Sequence, residues 1–156
     1  MKVLSHADLV EAGARWLFNK GFKVVLKELS TCSLEIPDCL GFNSGHSFLL
    51  EAKATRSDFL SDKKKHFRRS PWQGMGLRRS YICPKNLIKP EELPENWGLI
   101  YVNENGKARQ IKKAQPFKER HLINEQCLLV SVVRRMIDGF EYKKYLHRAE
   151  IAEKKQ

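Results

Sequence analysis

The stretch Ser47-Phe48-Leu49-Leu50-Glu51-Ala52-Lys53 decides how this chain is read. Its Phe48-Leu49-Leu50 is a continuous apolar run, as in a strand buried on both faces, and the stretch ends on Glu51 and Lys53. On such a strand Glu51 and Lys53 share one side, while Leu50 and Ala52 point to the other. Upstream, residues 34–42 form a second strand candidate, joined to the first by Asn43-Ser44-Gly45, and residues 22–27 form a third. The three predict an antiparallel meander. Before them, Ser5 and Asp8 make a capping-box pattern. Ala7, Val10, Ala14, Leu17 and Phe18 follow at helical spacing, predicting a first helix to about Asn19 with Gly21 as its stop.

Downstream, Thr55 and Asp58 repeat the capping pattern and open a helix predicted over residues 57–69, ended by Ser70-Pro71. Residues 72–76 read as loop and residues 80–83 as a strand, so residues 47–83 form a right-handed βαβ crossover. Pro84, Pro90 and Pro94 punctuate a connector, and residues 98–102 and 108–112 flank Asn105-Gly106 as a hairpin. A last helix is predicted over residues 118–137. Its stripe of Leu122, Leu129, Val133 and Met136, beside Ile123, Cys127 and Val130, is wide enough to cover a sheet face, and Gly139 stops it. The chain thus reads as α/β, one domain over residues 1–140 and a polar tail over residues 141–156.

With 156 residues, 42% hydrophobic and 30% charged, the composition suits one globular domain. Its net charge of +11 directs attention to polyanions as partners. The longest uncharged apolar run, residues 127–133, falls far short of the roughly 20 residues of a spanning helix, which argues against a membrane protein. Residues 1–11 already carry Lys2, Asp8 and Glu11, leaving no apolar centre for a secretory signal, so a cytoplasmic location is expected. Cys32, Cys39, Cys83 and Cys127 lack the paired spacing of zinc knuckles and read as reduced thiols.

Asp38 follows Ile36-Pro37, and a turn between antiparallel strands lays it beside Glu51. Two neighbouring carboxylates repel, and a hard cation such as Mg2+ relieves the repulsion while leaving positions for phosphate oxygens and water. Lys53, one pleat on, is placed to hold or help deprotonate that water. By pattern alone, an exposed strand with Glu51 and Lys53 facing solvent is an equal reading; the apolar run before Glu51 favours the site. Glu11 falls in the row Ala7, Glu11, Ala14, Phe18 and is expected to point inward toward a cation, with a rim position beside a Lys as the alternative.

Nine cations against Asp58 and Asp62 give residues 53–79 a charge of +7. Besides Lys53 they are Arg56, Lys63, Lys64, Lys65, Arg68, Arg69, Arg78 and Arg79, and they are expected to bind a phosphate backbone. The alternative for Lys63-Lys64-Lys65 is a solvated helix face. His66, Phe67 and Trp72 lie in the same stretch, suited equally to stacking on an unpaired base or to packing.

Ile36-Pro37-Asp38, a gap of twelve residues, then Glu51-Ala52-Lys53 after an apolar strand resembles the core of the PD-(D/E)XK nucleases. Ser57-Asp58-Phe59, the Lys-rich helix, Arg79-Ser80-Tyr81-Ile82-Cys83-Pro84 and Leu93-Pro94 through Gly98-Leu99 are similar to small MmcB-related DNA repair proteins. The resemblance covers roughly residues 5–113 and implies a restriction-endonuclease-like αβββαβ core with a mixed sheet flanked by helices; the loop at residues 72–76, the added C-terminal helix and the tail depart from it. It implies Mg2+-dependent hydrolysis of DNA, with Mn2+ as a substitute, in repair or in mobile-element or phage DNA processing. Asp38 and Glu51 are then metal ligands, joined by Ala52 and Glu11, with Lys53 near the attacking water and Gln73 as a further polar site residue. Two readings compete: a catalytically inactive DNA-binding module of the same fold, and a phage or mobile-element accessory protein that binds a host partner. A homodimer is left open.

Overall fold

The computed structural model describes residues 3–147. Helix α1 (His6–Asn19) starts where predicted: Ser5 Oγ accepts from the Asp8 N–H at 3.1 Å while the Asp8 carboxylate accepts from the Ser5 N–H at 2.9 Å. Its buried face of Leu9, Val10, Gly13 and Leu17 lies on the sheet. Gly13 lets it come close, since a Cβ there would sit 3.1 Å from Leu50 Cδ1.

Among the described residues seven strands form one mixed sheet: β1 (Val24–Lys27), β2 (Cys39–Asn43), β3 (His46–Ala52), β4 (Arg78–Pro84), β5 (Gly98–Val102), β6 (Ala108–Lys112) and β7 (Leu146–His147). Their order is β6-β5-β4-β3-β2-β1-β7. β1, β2 and β3 form the antiparallel meander, β3 pairs with β4 and β4 with β5 in parallel, and β6 returns antiparallel to β5. The crossover from β3 to β4 carries α2 (Arg56–Asp62), α3 (His66–Arg69) and a 3-10 turn at Pro71–Gln73. After β6 comes α4 (Leu122–Asp138).

Alternation along the strands divides the core in two. Leu50, Ala52, Ile82 and Ile100 pack against α1, whereas Leu49, Tyr81, Cys83 and Leu99 face Phe59, Trp97, Leu128 and Val132 on the other side. Glu51 has the parity of Leu49, so it points to the second side, toward α2 and α3. Among the described residues no helix is long and apolar enough to cross a membrane.

Four sequence expectations shift. The strand expected over residues 34–42 begins only at Cys39, because Glu35 turns inward to an ion pair and leaves residues 29–38 irregular. The single helix expected over residues 57–69 is broken. Six residues at 100° each would set Asp62 and Arg68 about 120° apart around one helix; the turn at residues 63–65 lets both side chains meet inside. Helix α4 begins at Leu122 instead of residue 118, with His121 Nδ1 accepting from the Asn124 N–H. The stripe predicted on α4 is also displaced. The helix presents Glu125, Leu128 and Val132 to the sheet, while Leu122, Ile123, Val130, Val133 and Met136 are exposed. Glu125 sets this rotation, since its Oε1 accepts from Ser47 Oγ at 2.7 Å and from the Gly76 N–H at 2.8 Å. Gly76 itself has φ +91, and a Cβ there would lie 2.7 Å from Leu49 Cβ.

The polar stretch from residue 141 begins with a 3-10 turn at Lys143–Tyr145 and with β7, whose Leu146 and His147 pair with Leu26 and Val25. Residues 148–156 of the expected tail lie outside the described residues.

Candidate functional site

The β2–β3 register pairs Cys39 with Leu50, so its continuation sets Asp38 opposite Glu51. Asp38 Oδ2 accepts from the Ala52 N–H at 2.7 Å, which draws the carboxylate to the end of β3. Its Oδ1 lies 3.4 Å from His6 Nε2, and that nitrogen is 3.0 Å from Glu28 Oε1. Hydrogen bonding to Asp38 raises the His6 imidazole most; burial opposes this, Glu28 adds to it, and the group is pushed up to about 9. His6, Glu28 and Asp38 offer ligand atoms within 4.8 Å of one another, a spacing that could hold a metal ion.

Glu51 is almost closed off, with its side chain 3% exposed. Its Oε2 has two cationic partners, Lys53 Nζ and Arg68 Nη2, each at 3.2 Å. Its Oε1 is buried and has no hydrogen-bond partner among the described residues. Burial pushes the carboxyl up to about 7; the Arg68 guanidinium works against that rise, and the Asp38 charge adds to it. Lys53 lies between Glu51 Oε2 and Asp62 Oδ1, 3.2 Å from each. Burial disfavours its charge, but the carboxylates of Glu51, Asp62 and Asp38 outweigh this and hold the ammonium above its ordinary value.

Behind these residues lies a buried ionic cluster that the sequence reading missed. Arg68 donates through Nε to Asp62 at 2.8 Å and through Nη1 to Glu35 at 2.9 Å, in addition to its contact with Glu51. Asp62 also accepts from Tyr81 Oη at 2.7 Å. Although burial raises its carboxyl, Arg68 and Lys53 hold it well below the usual range. The Glu35 carboxylate also accepts from the Met75 N–H. The available signal was local: Glu35 stands between Leu34 and Ile36, and an acid flanked by apolar residues needs a partner wherever it is buried.

Three expectations are corrected. Glu11 does not point inward; it is half exposed and paired with Lys27, the rim alternative. Arg68 and Arg79 are not available to phosphate. Arg68 is consumed by three carboxylates, and Arg79, 1% exposed, donates to the carbonyls of Gly76, Pro71 and Gly74 and lies 4.1 Å from the Phe117 ring centroid. Burial lowers the Arg79 guanidinium to about 10. Gln73 sits on the Pro71–Gln73 turn, in a cavity that Asp38, Glu51 and Lys53 do not line.

The remaining cations are nearer the surface. Arg56 is exposed and bidentate to Glu92, Lys65 bridges to Asp62 while 46% exposed, Lys64 and Arg69 are exposed, and Lys63 and Arg78 are half-buried.

No family model and no curated protein matches this chain. Among solved structures it is similar to SPO1766, a protein of unknown function from Silicibacter pomeroyi. The match has a TM-score of 0.65 and 23% identity, covering 87% of this chain and 91% of that one, a likeness of fold alone.

Proposed function

We propose that the protein is a divalent-metal-dependent nuclease with a restriction-endonuclease-like, PD-(D/E)XK core, hydrolysing DNA phosphodiester bonds. The observation that carries this reading is Glu51 Oε1. A carboxylate oxygen cut off from water without a donor forfeits its solvation, and a cation is the partner that restores it. The donor types fit a hard ion such as Mg2+ or Mn2+: Asp38 and Glu51 stand opposite each other across neighbouring strands, and the Ala52 carbonyl, next after Glu51 in sequence, adds a further oxygen. When bound, such an ion lowers the pKa of water and neutralises charge developing on phosphate.

The chain's own residues do the rest. Lys53, kept protonated by Glu51 and Asp62, offers its ammonium as a donor to a phosphate oxygen or to the attacking water, and so orients it without removing a proton. Arg68 and Asp62 hold Glu51 and Lys53 in place from behind. Exposed Lys64, Lys65 and Arg69 supply charge along the path of the backbone.

One observation favours the non-catalytic DNA-binding reading: Arg68 already gives Glu51 a fixed positive neighbour. Labelled DNA incubated with Mg2+, Mn2+ or EDTA separates the two. Cleavage that needs metal and is lost in Glu51→Gln and Lys53→Ala supports the nuclease. Salt-sensitive binding without cleavage in either metal, or cleavage retained in both variants, overturns it.

A further inference from the structure

We propose that the cavity walled by residues 32–35, α3 and the Pro71–Gln73 turn receives an unpaired nucleobase, so that the protein engages DNA through single-stranded segments. That the strand is DNA rests on the nuclease reading; the shape and chemistry of the recess do not.

The cavity has a volume of about 290 Å3 and is lined by the rings of His66, Trp72 and His121 together with Phe67, which is itself buried. His66 and Phe67 meet edge to face with centroids 5.4 Å apart. Trp72 is 54% exposed, whereas Trp97 is 2% exposed in the core. An indole left half in water has apolar surface to cover, and a base covers it by stacking, an interaction open to every base because each has a π face. Leu34, also in the lining, is 84% exposed and adds a second uncovered apolar surface.

The cavity also supplies a hydrogen-bonding edge. Gln73 and Asn124 contribute amides, each offering both donors and an acceptor, as the edge of a base requires. Glu35, the acid in the lining, does not repel a strand with a free charge: one carboxylate oxygen is bonded to Arg68 and the other to the Met75 N–H. Charge around the cavity suits the flanking phosphates. The Lys65 ammonium lies 5.7 Å from the Phe67 ring centroid, and Arg69 ends the same short helix facing solvent. A base within a duplex has both faces stacked and its edge paired, so it reaches such a recess only from a single strand or after being extruded.

The test measures binding in EDTA, where no cleavage intervenes, by fluorescence anisotropy of one labelled strand alone and annealed to its complement at fixed salt. Trp72→Ala should weaken single-strand binding about tenfold, within the range for removal of one base–aromatic stack, and leave duplex affinity unchanged. Trp72→Phe should retain most of the single-strand affinity. The single strand should quench the parent's tryptophan emission, and the quench should vanish in Trp72→Phe, where Trp16 and Trp97 remain. Trp72→Ala weakening both DNAs alike, or neither, overturns the proposal. Cleavage is read separately with Mg2+. Cleavage that persists without a Trp72-dependent preference overturns the cavity alone; Trp72-dependent single-strand binding without cleavage supports the cavity and overturns the nuclease reading.

Discussion

Arg68 Nη2 lies 3.2 Å from Glu51 Oε2, and the same guanidinium holds Asp62 and Glu35. One cation from the broken crossover helix therefore contacts three carboxylates, from residues 35, 51 and 62, with Lys53 sharing two of them. A residue that looks by composition like a phosphate ligand is instead the counter-ion of the candidate site.

Arg68→Met should accordingly act on stability before it acts on DNA. Removing one member of a buried ionic cluster leaves the others uncompensated, at a cost of about 3–5 kcal/mol. Urea unfolding in EDTA measures this. A loss below about 1 kcal/mol would mean that water reaches the cluster.

Phosphate binding should map to the exposed cations. Charge reversal at Lys64 and Arg69 should weaken binding to all sequences alike and reduce the salt slope by about one for each phosphate no longer neutralised. Arg79→Met should destabilise the fold and leave the salt slope of the folded protein unchanged. Titration of binding against salt concentration separates the two.

The His6 pair gives a pH signature in EDTA. The folded pKa, pushed up to about 9, exceeds the ordinary 6.5, so the pairing contributes its full stability below pH 6.5. Stability should then fall as pH rises through 9. His6→Asn should flatten the melting temperature between pH 6.5 and 9, and the imidazole of the parent should titrate near 9 by NMR. A midpoint near 6.5 would dissolve the link between His6 and Asp38.

Helix α4 offers a packing contrast. Leu128→Ala, at a fully buried side chain, should cost about 2–5 kcal/mol. Val133→Ala, at a residue 52% exposed, should stay within about 0.5 kcal/mol. Equal losses in urea unfolding would mean that Val133 is covered in solution.

The elements themselves were legible where local chemistry decides them. The Ser5–Asp8 and Thr55–Asp58 caps are both formed, and the parity of Glu51 and Lys53 follows from two-residue alternation. What escaped depends on partners distant in sequence. Nothing near residue 68 tells that its guanidinium meets Glu35, and the rotation of α4 is set by Ser47 and Gly76, some 50 to 80 residues away. Glu11 was misplaced because helical spacing gives a row without saying where that row crosses the rim of the sheet, where Lys27 waits. His6 and Glu28 are likewise brought together by the meeting of a helix start and a strand end.

The break between α2 and α3 has a consequence for the order of folding. Arg68 reaches Asp62 across six residues but Glu35 across 33, and Glu51 belongs to a strand whose parallel partner β4 lies on the far side of the crossover. Closing these separations costs chain entropy before any ion pair forms, and half-desolvated charges gain little until all their partners arrive. The cluster is therefore expected to form late in folding, after the transition state. Weakening it should accelerate unfolding far more than it slows folding. The segment that builds the candidate site would then govern how long the native state persists once formed.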